Sequence, residues 1–332
     1  MPFGRALQQR GRADVRSHRT GDDSFLNTRD RSTRTTKFAQ MEGGKRLLED
    51  IEFNSTCDLL RTPVGSQHPS AVVWTLSIFA VSEMGASLYE PINVYKPLAA
   101  NIGIVDGPFE YLTVGGIRLP LPFTTRMTVV RLANGDLFLH SPIRFDERLA
   151  KELCGQGTPR HLISPNQFHY AHIGEWARGL PGTISWASPG VRPRARARHV
   201  DIAFTRDLGA IAPDEWREEI DQLLFPGGYF KEFIFFHKAS RTLILTDTII
   251  NLELDKISEP WRTATKLTGM YHPHGQIFFG MKLPLLFQRR KAKAAIERIY
   301  SWQPQRIVLS HGRCFDNDVN EVTRRIFGVP PR

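Results

Sequence analysis

The chain has 332 residues, of which 41% are hydrophobic and 23% charged, with 44 lysines and arginines against 34 acidic residues. This length is enough for one large domain or two ordinary ones, and the composition excludes collagen-like, disulfide-scaffold and wholly disordered proteins. The formal net charge of +10 allows nucleic acid or an anionic membrane as a partner, and it requires neither.

The cysteines and the apolar runs bear on the compartment. Cys57, Cys154 and Cys314 are far apart and form no CxxC pair, which excludes a zinc ribbon and a thioredoxin-type motif. We therefore expect a reduced, cytoplasmic protein. The longest apolar run, residues 71–81, has about half of the ~20 residues that a membrane-spanning helix needs, so we expect no membrane span.

Residues 1–83 differ from the rest of the chain. Ser, Thr, Arg, Asp and Gln dominate up to Thr36, and no helical or strand periodicity is sustained there. We expect a disordered or weakly ordered extension over 1–83 and one domain over 84–332. Met84 as the true first residue would explain this contrast. A regulatory or targeting tail is the alternative, although a transit peptide would carry fewer acidic residues.

The part that follows Met84 reads as strands joined by turns and helices. Asn134-Gly135 lies between two apolar runs and predicts a hairpin. Apolar stripes at helical spacing predict helices over 173–180, over 214–224 after Pro213, and over 292–299. This mixture predicts layered sheets with outer helices. The predicted strands are 102–106, 127–132, 136–140, 160–164, 183–187, 232–236, 242–246 and 307–310.

Polar side chains follow four of these strands where each strand ends. In layered α/β proteins this edge of a sheet is where ligands bind, and His and carboxylate groups are ligands of zinc and related ions. A single His or Asp at a strand end is more often a capping or hydrogen-bonding residue. Four such strand ends together favour a site. The residues are His140, the pair His169 and His172, Asp247, and His311.

The order of these motifs resembles the metallo-β-lactamase superfamily from about residue 89 to residue 327. Residues 162–174 resemble its Thr-His-x-His-x-Asp-His-x-Gly element, and 233–247 resemble the paired strands that end in a metal-bridging Asp. Residues 308–312 resemble the late strand that ends in Ser-His-Gly, and His140-Ser141-Pro142 stands in the place of the early Asp-x-Gly. The resemblance implies a four-layer αββα sandwich.

More narrowly, the chain resembles an uncharacterised bacterial branch that is known only as a domain of unknown function. The resemblance implies a fold and no reaction, because the branch carries no established activity. The motifs that carry it are Tyr95-Lys96-Pro97-Leu98, residues 104–108, 125–132 and 140–142, Ser164-Pro165-Asn166, and residues 235–237 with 240–243.

The departures of this chain from the superfamily motif change the metal site that the resemblance implies. Gln167 stands at the first His position and Ala171 at the Asp position, whereas His169 and His172 are kept. The middle His, expected near residues 227–229, is absent. The standard two-metal site is therefore incomplete, and we expect one ion at most.

The resemblance implies that His172, Asp247 and His311 hold one zinc, iron or manganese ion, with His169 as a fourth ligand or as a neighbour that orients one. Bound water would then be the nucleophile of a metallo-hydrolase-like protein acting on a small molecule. The alternative is a metal-free binding or accessory protein on a degenerate fold. Further candidates around the ion or for substrate contact are His140, Gln167, Arg126 and Glu232, of which His140 or Glu232 would accept a proton in place of the acid lost at Ala171.

Residues 192–198 carry four arginines at alternate positions. In an extended strand these would share one face and could follow a phosphate backbone. A solvated edge loop is the more common explanation. The superfamily's nucleases resemble the full ligand motif, which is broken here, so we expect no nucleic-acid partner.

Overall fold

The computed structural model describes residues 51–55, 87–114 and 117–328. The extension expected over 1–83 lies outside these ranges, except for the strand β1 (Ile51–Ser55). None of the helices within the described ranges is long and apolar enough to cross a lipid bilayer.

Two sheets organise the described residues. The first has eight strands in the order β1-β3-β4-β5-β6-β7-β8, with β2 paired to β3. Its further strands are β2 (Tyr95–Ala99), β3 (Ile102–Val114), β4 (Ile117–Arg131), β5 (Asp136–His140), β6 (Thr158–Ser164), β7 (Ile184–Ala187) and β8 (Arg206–Asp207). The second sheet has the order β14-β11-β10-β9, with β9 (Ile220–Phe225), β10 (Glu232–His237), β11 (Thr242–Leu245) and β14 (Arg306–Leu309). A separate ribbon pairs β12 (Ile249–Ile250) with β13 (Gln276–Ile277).

Seven α-helices lie within the described ranges, together with 3₁₀ turns over Gly228–Phe230 and Leu254–Lys256. Three helices follow strands of the first sheet, and four belong to the second half of the chain. They are α1 (Glu147–Gln156), α2 (Ile173–Gly179), α3 (Val191–Ala197), α4 (Trp261–Thr268), α5 (Phe279–Phe287), α6 (Arg289–Trp302) and α7 (Val319–Phe327).

The side chains of the sheets alternate between three apolar clusters, which shows how the layers are stacked. On β5, Phe138 points into a cluster that also contains Phe233 and Phe235 of β10, so the two sheets pack face to face. Leu137 and Leu139 point the other way, toward a cluster formed with α1, α2 and α3. On the far side, β10, β11 and β14 pack against α5, α6 and α7. The result is the predicted four-layer αββα sandwich.

Most of the predicted elements are confirmed. The hairpin at Asn134-Gly135 joins β4 and β5, and Gly135 takes the positive φ of 87° that such a turn favours. The helices predicted over 173–180 and 292–299 are α2 and α6, and Pro304 follows the end of α6.

The helix predicted over 214–224 is wrong. Residues 214–219 form turns, and the rest is strand β9, each of whose residues is paired with a residue of β10. Trp216 and Ile220, the apolar residues of the predicted stripe, are buried, and both pack between the two sheets. The two residues are four positions apart, a spacing that fits a helix and also a turn that leads into a strand. Pairing with the fully buried strand β10 selects the strand.

The extended conformation considered for the arginine run is also wrong. Residues 191–197 form α3, in which alternate positions point in different directions. Arg194 is buried, bonds to the hydroxyl of Tyr229 and lies over the ring of Phe168. Arg192 pairs instead with Asp207. The arginines therefore share no single face.

Candidate metal centre

The candidate site lies where strands of both sheets end. β11 and β14 are parallel neighbours, with Leu245 opposite Leu309. Asp247 and His311 each follow these residues by two positions, so the register places them side by side. His169 comes from the loop that follows β6 in the other sheet. Three loops from two packed sheets thus converge on one point.

The ligand atoms of His169, Asp247 and His311 all lie within 4.8 Å of one another. Oδ1 of Asp247 is 3.2 Å from Nε2 of His169 and 3.2 Å from Nε2 of His311. The two Nε2 atoms are 3.3 Å apart. The three donors form a nearly equilateral triangle.

The outward-facing atoms of the same side chains are held by neighbours. Oγ of Ser141 lies 2.6 Å from Nδ1 of His169, and the Thr124 carbonyl lies 2.8 Å from Nδ1 of His311. The side-chain amide of Asn166 donates to Oδ2 of Asp247 at 2.7 Å. Such outer hydrogen bonds fix the orientation of metal-binding side chains and the tautomer of each ring.

The hydrogen bond to Thr124 has an electrostatic consequence. A carbonyl oxygen can only accept, so Nδ1 of His311 carries the proton, and in the neutral ring Nε2 is then a bare lone pair. That lone pair faces Oδ1 of Asp247, and two acceptors at 3.2 Å repel unless a cation lies between them. Either a metal ion or a second proton on His311 meets this requirement.

Asp247 itself stays ionised. Burial favours its protonated form, but His169 and then His311 outweigh burial and hold the pKa of Asp247 well below its ordinary value. The site therefore presents a fixed negative charge beside two imidazoles.

Glu232 supports the loop that carries Asp247. Its fully buried carboxylate accepts hydrogen bonds from the backbone N–H groups of Thr246, Asp247 and Thr248 at 2.6, 2.7 and 2.8 Å. Burial and the charge of Asp247 raise the pKa of Glu232, while these donors act in the opposite direction. Glu232 therefore holds the main chain of the loop rather than contacting the cluster.

His172 is not part of the group of converging donors. Its Nε2 lies 3.1 Å from Oε1 of Glu110, and its Nδ1 lies 3.2 Å from Oε2 of Glu175. Burial lowers its pKa, but the two carboxylates outweigh burial and raise the pKa of His172 to about 9. The structure thus presents His172 as a charged ring between two acids.

His140 and Gln167, two more of the predicted candidates, lie outside the group of converging donors. His140 is fully buried and packs edge-on against Phe235, with 5.3 Å between ring centroids. Burial and then the charge of His169 lower its pKa to about 3, so its ring is neutral. Gln167 donates to the carbonyl of Tyr229 at 2.9 Å.

Arg126 holds the loop of His311 from the opposite sheet. Its buried guanidinium pairs with Asp106 at 2.7 Å and donates to the carbonyls of Leu309 and Gly312, both at 2.7 Å. These carbonyls lie on either side of His311. Arg126, a candidate for substrate contact from the sequence, is thus engaged by a carboxylate and by two main-chain carbonyls.

A cavity of about 40 Å³ adjoins the cluster. About 10–15 Å³ of such volume accommodates one water molecule, so this cavity has room for very few small atoms. Any larger molecule would therefore lie mainly at its mouth. The lining residues include Glu110, Arg126, Ser141, His169, His172 and His311.

The structure brings together three of the four residues predicted as ligands. Reasoning from sequence missed Ser141, Asn166 and Thr124, which contact the three converging side chains, and Glu110, which contacts His172. Ser141 and Asn166 lie in strand-end motifs that the sequence does display. Glu110 lies inside the long strand β3 and has no such signal.

The model of a family described as a domain of unknown function, DUF4336, matches residues 114–262. A comparison with curated protein sequences gave no match.

Several solved structures that resemble the chain are metallo-β-lactamases, and others are a diflavin flavoprotein and a flavodiiron core. The DIM-1 metallo-β-lactamase is 14% identical, with 70% of this chain and 96% of that chain covered and a TM-score of 0.46. The FIM-1 enzyme from Pseudomonas aeruginosa, in its mono-zinc form, is 9% identical over 74% and 97%, with a TM-score of 0.47. A metallo-β-lactamase from Hirschia baltica is 11% identical over 70% and 97%, with a TM-score of 0.44.

Proposed function

We propose that the protein is a metallo-hydrolase-like protein with a single metal ion held by His169, Asp247 and His311. The observation that carries this proposal is the triangle of donor atoms, with sides of 3.2, 3.2 and 3.3 Å. Two ligands that each lie about 2.0–2.1 Å from a tetrahedral zinc ion are roughly 3.3–3.4 Å apart. The spacing of these donors therefore suits such an ion.

The donor set fits zinc, and iron or manganese are the alternatives. His169, Asp247 and His311 would hold the ion, which would supply Lewis acidity and would make a water molecule nucleophilic near neutral pH. Ala171 stands where the superfamily motif has its Asp, and His172 is engaged by Glu110 and Glu175. We therefore place His172 outside the ligand set and propose one ion rather than two.

The residues around the cavity define what a substrate would meet. Oε2 of Glu110 is buried and has no hydrogen-bond partner among the described residues, and Glu110 lines the cavity together with His172. Glu110 is thus placed to accept a hydrogen bond from a substrate or from water. His172 adds a positive charge beside it. We propose a small polar molecule as the substrate.

Our proposal also includes the finer expectations from the sequence. We assign the chain to the uncharacterised branch of the superfamily, in which the metal motif is altered. We place the protein in the cytoplasm, since Cys154 and Cys314 are free thiols. We expect no nucleic-acid partner, because the arginines of α3 share no face.

Metal content tests the proposal directly. Protein purified without chelators is analysed by mass spectrometry for zinc, iron and manganese, and the chelated protein is titrated with zinc by calorimetry. We expect one zinc per chain in the unmodified protein and in His274→Ala, a control at an exposed histidine. His169→Ala, Asp247→Asn and His311→Ala should each lose it.

The same preparations test for hydrolysis with chromogenic esters, lactones and phosphodiesters. Hydrolysis that needs the bound ion would support an enzyme. One ion per chain without hydrolysis of any substrate would support a binding protein. Absence of metal binding in the unmodified chain would overturn the proposal and favour the metal-free accessory protein.

A further inference from the structure

Helix α5 has one apolar face in the core and a second apolar face in solvent. Met281 is buried and Leu285 packs against the cluster under the second sheet. Phe279, Leu283, Leu286 and Phe287 are 60%, 61%, 57% and 82% exposed. These four positions follow the spacing i, i+4, i+7 and i+8, so they share one side of the helix. We call this side the α5 apolar face.

Single exposed apolar residues are normal on a protein surface, but a contiguous group of large ones marks an interaction site. Aromatic rings and leucines side by side on one helix are such a group. The α5 apolar face therefore favours a partner whose own surface is at least partly apolar.

The charge around this face is of one sign. Residues 260–296 contain no Asp or Glu. Lys282, Arg289, Arg290 and Lys291 are exposed, and none forms an ion pair with a described residue. Lys293 pairs with Glu297 at 3.9 Å and with no other residue of the described ranges. The α5 apolar face and the start of α6, which Gln288 joins along the chain, thus form one surface that combines apolar side chains with cations.

A groove continues from this surface along α6. It has a volume of about 700 Å³ and includes Gln288, which lies between α5 and α6. Its lining combines apolar side chains with cations. The apolar residues are Pro189, Leu223, Leu224, Pro226, Ala294 and Ala295, and the cations include Lys231 and Lys291.

We propose that α5 and the start of α6 dock onto the surface of an anionic lipid bilayer. Apolar side chains that enter the interface, together with lysines and arginines that attract anionic headgroups, are the two contributions that peripheral membrane attachment needs. The groove offers an apolar floor and cations at the same place. A second copy of the chain would bring like charges together, which disfavours it as the occupant.

Vesicle flotation with the full chain tests this proposal. The probes are vesicles of phosphatidylcholine alone and vesicles with 30% phosphatidylserine, each at low and at high salt. We expect binding to the anionic vesicles, weaker binding at high salt, and at least a tenfold weaker partition for Leu283→Ser/Phe287→Ser. Replacement of Arg289, Arg290 and Lys291 by Glu should weaken it at least as much.

Two control variants test whether a loss of vesicle binding is specific to α5 and the start of α6. Ile211→Ser removes another apolar residue that is 82% exposed, and Arg148→Glu/Lys151→Glu reverses two exposed charges on α1. Both controls should bind the anionic vesicles as the unmodified chain does. Equal loss in the controls, or no binding by the unmodified chain, would overturn the proposal. A dimer that Phe287→Ser abolishes, without vesicle binding, would assign the surface to a second copy instead.

Discussion

Nε2 of His311 lies 3.2 Å from Oδ1 of Asp247, although the two residues are far apart in the sequence. The parallel pairing of β11 and β14 produces this contact, because it aligns the ends of the two strands. Each side chain lies two residues after the end of a strand whose main chain is held by ladder hydrogen bonds. The site is therefore assembled by the sheet, and neighbouring residues then refine its geometry.

Asn166 connects Asp247 with the loop that carries His169. Its amide nitrogen donates to Asp247, and its carbonyl oxygen accepts from the backbone N–H groups of Phe168 and His169. We expect Asn166→Ala to weaken zinc affinity about 10–100-fold, the usual effect of removing such a partner. Competition with a chromogenic chelator measures it. Asn317→Ala, at an exposed asparagine, should keep the unmodified affinity, and equal affinity in both variants would contradict this role.

Arg126 should matter for both folding and metal binding. Arg126→Met leaves the carbonyls of Leu309 and Gly312 without their donor and leaves Asp106 with Lys96 as its remaining ion-pair partner. Loss of one partner of a buried ion pair lowers the free energy of unfolding by about 3–5 kcal/mol. Urea denaturation measures this change.

Two further variants test whether the effect depends on the buried site of Arg126 and on the shape of its guanidinium group. Arg148→Met, on the exposed surface of α1, should change stability by no more than about 0.5 kcal/mol. Arg126→Lys keeps the charge but cannot span the same acceptors, so it should retain more stability than Arg126→Met while still binding zinc more weakly than the unmodified chain. Unchanged zinc affinity in both Arg126 variants would show that Arg126 does not position His311.

Gly312 should tolerate no side chain. It has a φ of 84°, and a Cβ atom there would overlap the carbonyl of Asn251. Gly135 has a nearly identical φ of 87° but open space around it, which makes Gly135→Ala a control for backbone strain alone. We expect Gly135→Ala to cost about 1–2 kcal/mol. Gly312→Ala should cost more and weaken zinc binding at least tenfold, as measured by denaturation and by zinc titration.

The sequence predicted the elements whose signals are local. The Asn134-Gly135 turn and the apolar stripe of α2 specify their structures without help from distant residues, and both are confirmed. The His and Asp residues at strand ends also predicted the cluster, because topology alone brings the ends of parallel strands together.

The remaining features depend on distant partners. Trp216 and Ile220 fit a helical stripe, and only the pairing of β9 with β10 shows that they precede and begin a strand. The protonation of the His172 ring depends on Glu110, which is 62 residues away in the sequence. No local pattern distinguishes a metal ligand from a ring held by two carboxylates, so the motif alone could not place His172.

His172 gives the protein a predicted sensitivity to alkaline pH. Glu110 and Glu175 raise its pKa from 6.5 to about 9 against the effect of burial, so the charged ring stabilises the folded state. This stabilisation is fully present below pH 6.5 and is lost as the pH rises through 9. A shift of this size corresponds to about 3 kcal/mol. Urea denaturation from pH 6 to pH 10 should show stability falling over this range in the unmodified chain and staying nearly level in His172→Gln. Parallel curves for the two proteins would contradict the charged state of His172.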